Sequence, residues 1–327
     1  MARNINGKEK GLDMPGAVNT SMVQKTQYFE IDSKFVGSRL GVWVSTPPRY
    51  EASEGRYPVL YATDGTYVGR ITEMQAGYLM GDFDRPVRPY IHVSVGYIGA
   101  EADQLLMTRN RDFVPPGEPL APEFRDFIQT RVDVGLMTPA DADAFFHNFD
   151  HARADNFLRF LEDELHPEIC QRYCVDENDI ALFGSSNGGL FSLYAFTERK
   201  PFFHKIAACS PGLLVSNSEI YARYEGLVKA MEDRSGTHLY MYCNGPEMVG
   251  PCKLFRTLSI EFLRFIDLVR DRPLPGMRLS AQIGQGENHY TGIIDAYKGF
   301  VRECYRWVDA PDVMNTPASM RHMMRGS

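Results

Sequence analysis

The sequence predicts an α/β fold: a mostly parallel twisted sheet with helices on both faces and an N-terminal antiparallel hairpin. Three observations predict it. Short apolar runs of strand length alternate along the chain with stretches of helical periodicity. The first two strand-like segments differ, because they alternate in polarity and lie only a turn apart. Finally, the apolar run Ile180-Ala181-Leu182-Phe183 passes directly into Gly184-Ser185-Ser186-Asn187-Gly188 and an amphipathic stretch to about Phe196.

That last stretch reads as strand, sharp turn and helix, the context in which Gly-x-Ser-x-Gly forms a nucleophile elbow and which specifies the α/β-hydrolase fold. The turn forces its serine into a strained conformation. The residues two before and two after it must be tiny because strand and helix nearly touch there, and Gly184 and Gly188 meet that demand.

In chain order, residues 1–24 lack periodicity and read as an N-terminal arm. Gln27 to Asp32 and Arg39 to Thr46 form the hairpin, which Pro47-Pro48 stops. Val59 to Thr63 and Ile91 to Val95 are continuous apolar strands, buried on both faces. Residues 97–153 are irregular and rich in proline, with short helices expected at Phe124 to Arg131 and Pro139 to Phe149. So long an excursion between core elements reads as a lid or pocket wall. Asp155 to Tyr173 has helical spacing, and strands follow at Lys205 to Cys209, His238 to Cys243 and Arg278 to Ile283. Helices are expected at Leu254 to Val269 and Gly292 to Trp307. The domain is thus placed at 25–310, with a polar tail over 311–327.

The 327 residues are 44% hydrophobic and 24% charged, an ordinary globular composition with a net charge of −7. No basic run suggests nucleic acid, and no apolar stretch is long enough to cross a membrane. None of the six cysteines forms a Cys-x-x-Cys pair and no histidine cluster has zinc spacing, so no metal site is read. Residues 1–16 are polar without a hydrophobic signal core, which points to the cytoplasm. The sequence leaves open whether the chain forms a homo-oligomer.

An elbow serine needs a base, and the base needs an orienting acid. In this fold their chain order is serine, acid, histidine. Of the eight histidines, His289 alone follows the last strand and precedes the tail, on a loop from which an imidazole can reach Ser186. Glu247 is the first carboxylate after the strand His238 to Cys243 and is the expected acid; Glu287 and Asp295 compete but lie close to His289 in sequence. The oxyanion hole is expected from the N–H of Asn187, at the start of the elbow helix, and from that of Gly65 or Thr66.

Several stretches resemble the family of serine esterases that includes the enterochelin and trilactone siderophore esterases. They are Pro58-Val59-Leu60-Tyr61 with Asp64-Gly65, Arg109-Asn110-Arg111-Asp112-Phe113-Val114-Pro115, Glu164-Leu165 with Pro167, the elbow with Gly189-Leu190-Phe191, Ser210-Pro211, and Glu287-Asn288-His289. The similarity covers roughly residues 27–307. It implies ester hydrolysis without a cofactor, through an acyl-enzyme on Ser186 with His289 as base. Some members are regarded as Ser-His dyads, so the resemblance leaves dyad and triad both open. Asn110 stands where the family has an arginine, and Gly212-Leu213-Leu214-Val215 replaces an aromatic-rich continuation. These departures, with the acidic balance, point to a small or medium, neutral or apolar ester or lactone as the small-molecule partner. Arg109, Arg111, Phe145 and Phe146 are the expected substrate contacts within the lid. An acyltransferase with the same residues, a trilactone siderophore esterase and a non-catalytic binding protein are the competing readings.

Overall fold

The structure, a computed structural model, describes residues 24–50, 55–82 and 84–307. Apart from Gln24, the expected N-terminal arm lies outside them, as does the tail over 311–327. Strands β1 (Lys25–Asp32), β2 (Arg39–Thr46), β3 (Tyr57–Ala62), β4 (Ile91–Tyr97), β5 (Val175–Ser185), β6 (Lys205–Cys209), β7 (His238–Asn244) and β8 (Arg278–Gly284) form one sheet. Its order is β1-β2-β4-β3-β5-β6-β7-β8. The pairs β1/β2 and β2/β4 are antiparallel, and every pair from β4/β3 to β7/β8 is parallel. This is the α/β-hydrolase arrangement expected from the elbow, with the N-terminal hairpin at one edge.

The intervening helices are α1 (Val68–Met80), α2 (Ala100–Asp103), α3 (Leu105–Phe113), α4 (Pro122–Asp133), α5 (Pro139–Asp150), α6 (Ala154–Arg159), α7 (His166–Arg172) and α8 (Asn187–Phe196). After them come α9 (Glu219–Ala230), α10 (Gly245–Val249), α11 (Lys253–Asp271) and α12 (Ile293–Cys304). Side chains alternate across the sheet, so each strand feeds two cores. Leu60, Ala62, Phe183 and Tyr242 pack under α1 and α12. Val59, Tyr61, Leu182 and Met241 face the other way, beneath α6, α8, α9 and α11. Both faces of the central strands are therefore dry, which is why they read as unbroken apolar runs.

Five helices, α1, α2, α3, α9 and α10, are absent from the sequence reading, and composition accounts for the three longest. The inner face of α1 is Val68, Gly69, Thr72, Ala76 and Leu79, mostly small or polar. A methyl on Gly69 would lie 2.5 Å from Ser94 Cβ, so this helix sits almost on β4. The buried face of α3 includes Thr108, Arg109, Asn110 and Asp112, so polarity hides its period. The third, α9, carries a legible signal: Ser218 caps it by accepting from Ile220 N, ahead of buried Ile220, Tyr224 and Leu227. The single helix expected over 155–173 is interrupted by a π-helical turn at Phe160–Leu165, which keeps Phe160, Leu161 and Leu165 against the core. Among the described residues no helix is long and apolar enough to cross a membrane.

Glu118, between α3 and α4, ties the segment 97–153 to the start of α9. Its carboxylate accepts from Ser218 Oγ at 2.9 Å and from Glu219 N at 3.0 Å, at the start of α9. Burial pushes its pKa from the usual 4.5 up to about 7, against the opposing effect of those two hydrogen bonds. Between these values the folded chain holds a proton that the unfolded chain has lost, so this group's contribution to stability falls as pH rises from about 4.5 to about 7. Glu118→Gln keeps an acceptor and removes the ionisation. Its melting temperature relative to the wild type is expected to be higher at pH 8 than at pH 5, measured by thermal unfolding at both; an equal difference at the two pH values would refute this.

Candidate active site

The site is built at the carboxyl ends of the parallel strands, where Asp64, Ser186, Ser210, Glu247 and His289 follow β3, β5, β6, β7 and β8 respectively. Ser186 sits between β5 and α8 with φ 59° and ψ −122°, a conformation that costs on the order of 1–3 kcal/mol for a non-glycine residue. The neighbours hold it there. Its N–H donates to Cys209 O at 2.9 Å, and its carbonyl accepts from Leu190 N at 2.9 Å and Gly212 N at 2.8 Å. A methyl on Gly184 would lie 2.0 Å from Gly188 O, and one on Gly188 would lie 2.3 Å from Thr63 Oγ1. The two glycines of the motif are thus a steric requirement of the fold.

His289 lines the same cavity as Ser186. Its ring stacks on Phe255 of α11, with centroids 4.4 Å apart and planes 16° apart. Nδ1 stands 3.3 Å from Glu247 Oε1, within ion-pair range when the ring is charged, though off the line of a hydrogen bond. Glu247 is buried, and its Oε1 also accepts from Ser210 Oγ at 2.9 Å and Asn244 Nδ2 at 2.7 Å. Burial raises its pKa, but His289, Asn244 and Ser210 together outweigh burial and hold it below the usual carboxylate value. Ser186 and His289 share the cavity without a direct hydrogen bond, a looseness common before substrate binds. The structure therefore brings together the expected serine, histidine and acid. Ser210 and Asn244, which fix the carboxylate, were not singled out for this role from the sequence.

The N–H of Asn187 opens α8 and has no intrahelical acceptor, and the residue lines the cavity. Its side chain donates to Asn110 Oδ1 at 2.8 Å, and Asn110 in turn donates to Phe145 O at 3.2 Å, which braces the elbow against the segment 97–153. The expectation for Gly65 and Thr66 does not hold. Gly65 N–H is committed to Val95 O at 2.6 Å. Thr66 packs on Gly96 so closely that a methyl there would meet Thr66 N at 2.3 Å, and its hydroxyl donates to Tyr97 O at 3.0 Å. Neither residue lines the cavity; Asp64, Tyr67 and Val68 occupy that side.

The cavity is about 300 Å³. The segment 97–153 supplies one wall through Leu106, Arg109, Phe124, Phe127, Ile128, Arg131 and Phe145. Leu254, Phe255, Tyr290 and Ile293 supply the other. Of the expected substrate contacts, Phe145 is on the wall. Phe146 lies outside it, under the Arg125 guanidinium at 4.9 Å. Arg109 reaches the cavity but is held by Asp64, with Nε 2.7 Å from Oδ1 and Nη2 donating to Oδ2 at 2.9 Å and to Ser185 O at 3.2 Å. Arg111 turns away to Glu101 at 2.6 Å and Asp112 at 2.7 Å and does not line the cavity. Residues two apart on one helix project in different directions, and here the two arginines reach different partners. Among the described residues His166, Cys170 and Glu177 each place one ligand atom within 4.8 Å of the others. None of the three lines the cavity, and His166 Nδ1 lies instead 2.8 Å from the Tyr61 hydroxyl.

Residues 136–248 match the family model described as "Putative esterase". The chain is 30% identical over 204 residues to the ferri-bacillibactin esterase BesA of Bacillus subtilis (strain 168). That alignment covers 61% of this chain and 62% of the relative, short of two thirds of its length. Among solved structures, a BES protein from Bacillus cereus superposes with a TM-score of 0.66 at 22% identity, over 86% of this chain and 96% of that one. The siderophore hydrolase EstB from Aspergillus nidulans gives 0.68 at 19% identity, over 88% and 97%. These superpositions establish the fold, and together with the family match they bear out the resemblance seen in the sequence.

The elbow sterics make a paired prediction. Gly188→Ala should destabilise the chain by about 1–3 kcal/mol, since the methyl would lie 2.3 Å from Thr63 Oγ1, on a short β-branched side chain that has little room to swing away. Gly226→Ala, in an open stretch of α9 with nothing within 4 Å, should stabilise by about 0.5–1 kcal/mol. Urea unfolding of both variants checks this; similar effects of the two would contradict it.

Proposed function

We propose that this chain, a relative of the enterochelin-type esterases, is a serine carboxylic ester hydrolase. The observation that carries the reading is the shared cavity: a strained serine and a histidine backed by a buried carboxylate open onto one pocket. Ser186 Oγ attacks the ester carbonyl while His289 Nε2 takes its proton. Glu247 orients the ring and balances the imidazolium charge. Asn187 N–H donates to the oxyanion, a contribution worth about 3–4 kcal/mol per donor in comparable sites. His289 returns the proton to the departing alcohol, leaving an acyl group on Ser186. A water activated by the same ring then releases the acid.

The cavity supports an ester of small to medium size with an apolar body. Its wall is largely aromatic, and its volume of about 300 Å³ is at the lower end of small-molecule sites. A trilactone siderophore esterase is the second reading, supported by the BesA relative. A pocket of this size favours one ester arm within it over a whole iron complex.

Ser186→Ala should retain the fold and lower ester turnover by at least about 10⁴-fold. Glu247→Gln should lower kcat by roughly 10²–10⁴-fold, because the ring loses its orienting charge. Because Glu247 is held below the usual carboxylate pKa, it stays ionised through the ordinary assay range and is lost only as pH falls below about 4.5. The acid limb of kcat/KM should therefore carry no contribution from Glu247 down to pH 5. A steady-state pH profile with Glu247→Gln near wild-type activity would remove the acid from the mechanism, and an active Ser186→Ala would remove the serine.

A further inference from the structure

We propose that Arg131 is a specificity residue that binds a carboxylate carried by the substrate at a distance from the scissile ester. The inference deepens the reading above and rests on it. Every other charged side chain lining the cavity is committed: Arg109 to Asp64, with His289 facing Glu247. The guanidinium of Arg131 has neither an ion pair nor a hydrogen bond among the described residues, and its Nε is buried without an acceptor. Of the acids on its own helix, Glu123 pairs with Lys253 at 3.1 Å and Asp133 accepts from Gln129 at 2.8 Å.

The residue is nonetheless held in place. Its carbonyl accepts from Leu136 N at 2.8 Å and Met137 N at 3.1 Å, closing the end of α4. Its Cζ lies 5.8 Å from the ring centroid of Phe127, one helical turn earlier on the same face. A fixed, partly desolvated and unpaired guanidinium on an aromatic wall is costly to the free protein. Its planar fork fits a carboxylate in two parallel hydrogen bonds. The substrate class is then an ester with an apolar body and one remote carboxylate. This replaces the neutral ester inferred from composition, because a local pocket charge is independent of the chain's overall balance.

The test uses 4-nitrophenyl monoesters of straight-chain diacids from succinate to suberate, each compared with its methyl-capped counterpart. The wild type should prefer the free acid by about tenfold or more in kcat/KM at one chain length, mainly through KM. Arg131→Met should bring that ratio towards one, and Arg131→Lys should recover part of it. Calorimetric titration with adipate and suberate reads the same contact without turnover: binding to wild type and at least tenfold weaker binding to Arg131→Met are expected. Preference for the capped ester at every length, or a ratio and diacid affinity unchanged in Arg131→Met, would overturn the proposal. Failure of the serine mechanism would instead leave diacid binding intact while Ser186→Ala stayed active, so the two outcomes are distinguishable.

Discussion

The backbone of β5 and the first turn of α8 approach so closely at Gly184 and Gly188 that no methyl group fits between them, and the rest of the site follows from that contact. It compels the chain to turn within Ser186, at positive φ, and so projects the side chain of the residue that the strand would otherwise bury. The strain is confined because Cys209, Leu190 and Gly212 hold Ser186 through its own peptide groups. Gly188 in turn lies against Thr63 at the end of β3, so the elbow is clamped between two strands and a helix. Local strain survives only where surrounding structure over-determines it, and here it does so from three sides.

Electrostatics distributes the remaining charges. Asp64 and Arg109 are buried together beneath the elbow, where burial raises the aspartate pKa and Arg109 opposes that rise. Removing one partner of such a pair typically costs about 3–5 kcal/mol, and through Arg109 Nη2 the pair holds α3 against the Ser185 carbonyl. Glu247 is treated differently. Ser210 and Asn244 satisfy its carboxylate, which keeps it ionised beside His289 although it is buried. One carboxylate thus serves as an anchor and the other as a counter-charge, and their environments separate the two tasks.

The fold and the core of the site were legible where the physical demand falls on contiguous residues. Gly184, Ser186 and Gly188 announce the elbow because its sterics act within five residues, and His289 and Glu247 follow from chain order in a parallel sheet. What could not be read depends on contacts between distant segments. The acceptor of Gly65 N–H is Val95 O, on a neighbouring strand. Arg109 and Arg111 reach different partners because they lie two residues apart on α3, a helix whose polar buried face hides its period. Phe145 and Phe146 divide in the same way, one towards the cavity and one beneath Arg125. Arg131 is not singled out by the sequence, and only the cavity shows that its guanidinium has no acceptor among the described residues.

In the proposed function Ser186 is the attacking group, poised by the elbow. The most direct measurement is peptide mapping by mass spectrometry after treatment of the folded protein with a fluorophosphonate. The account predicts one adduct, on the peptide containing Ser186, formed at a rate that depends on His289 being unprotonated. An adduct on Ser185 or on a peptide remote from the elbow, with Ser186 unmodified, would contradict it.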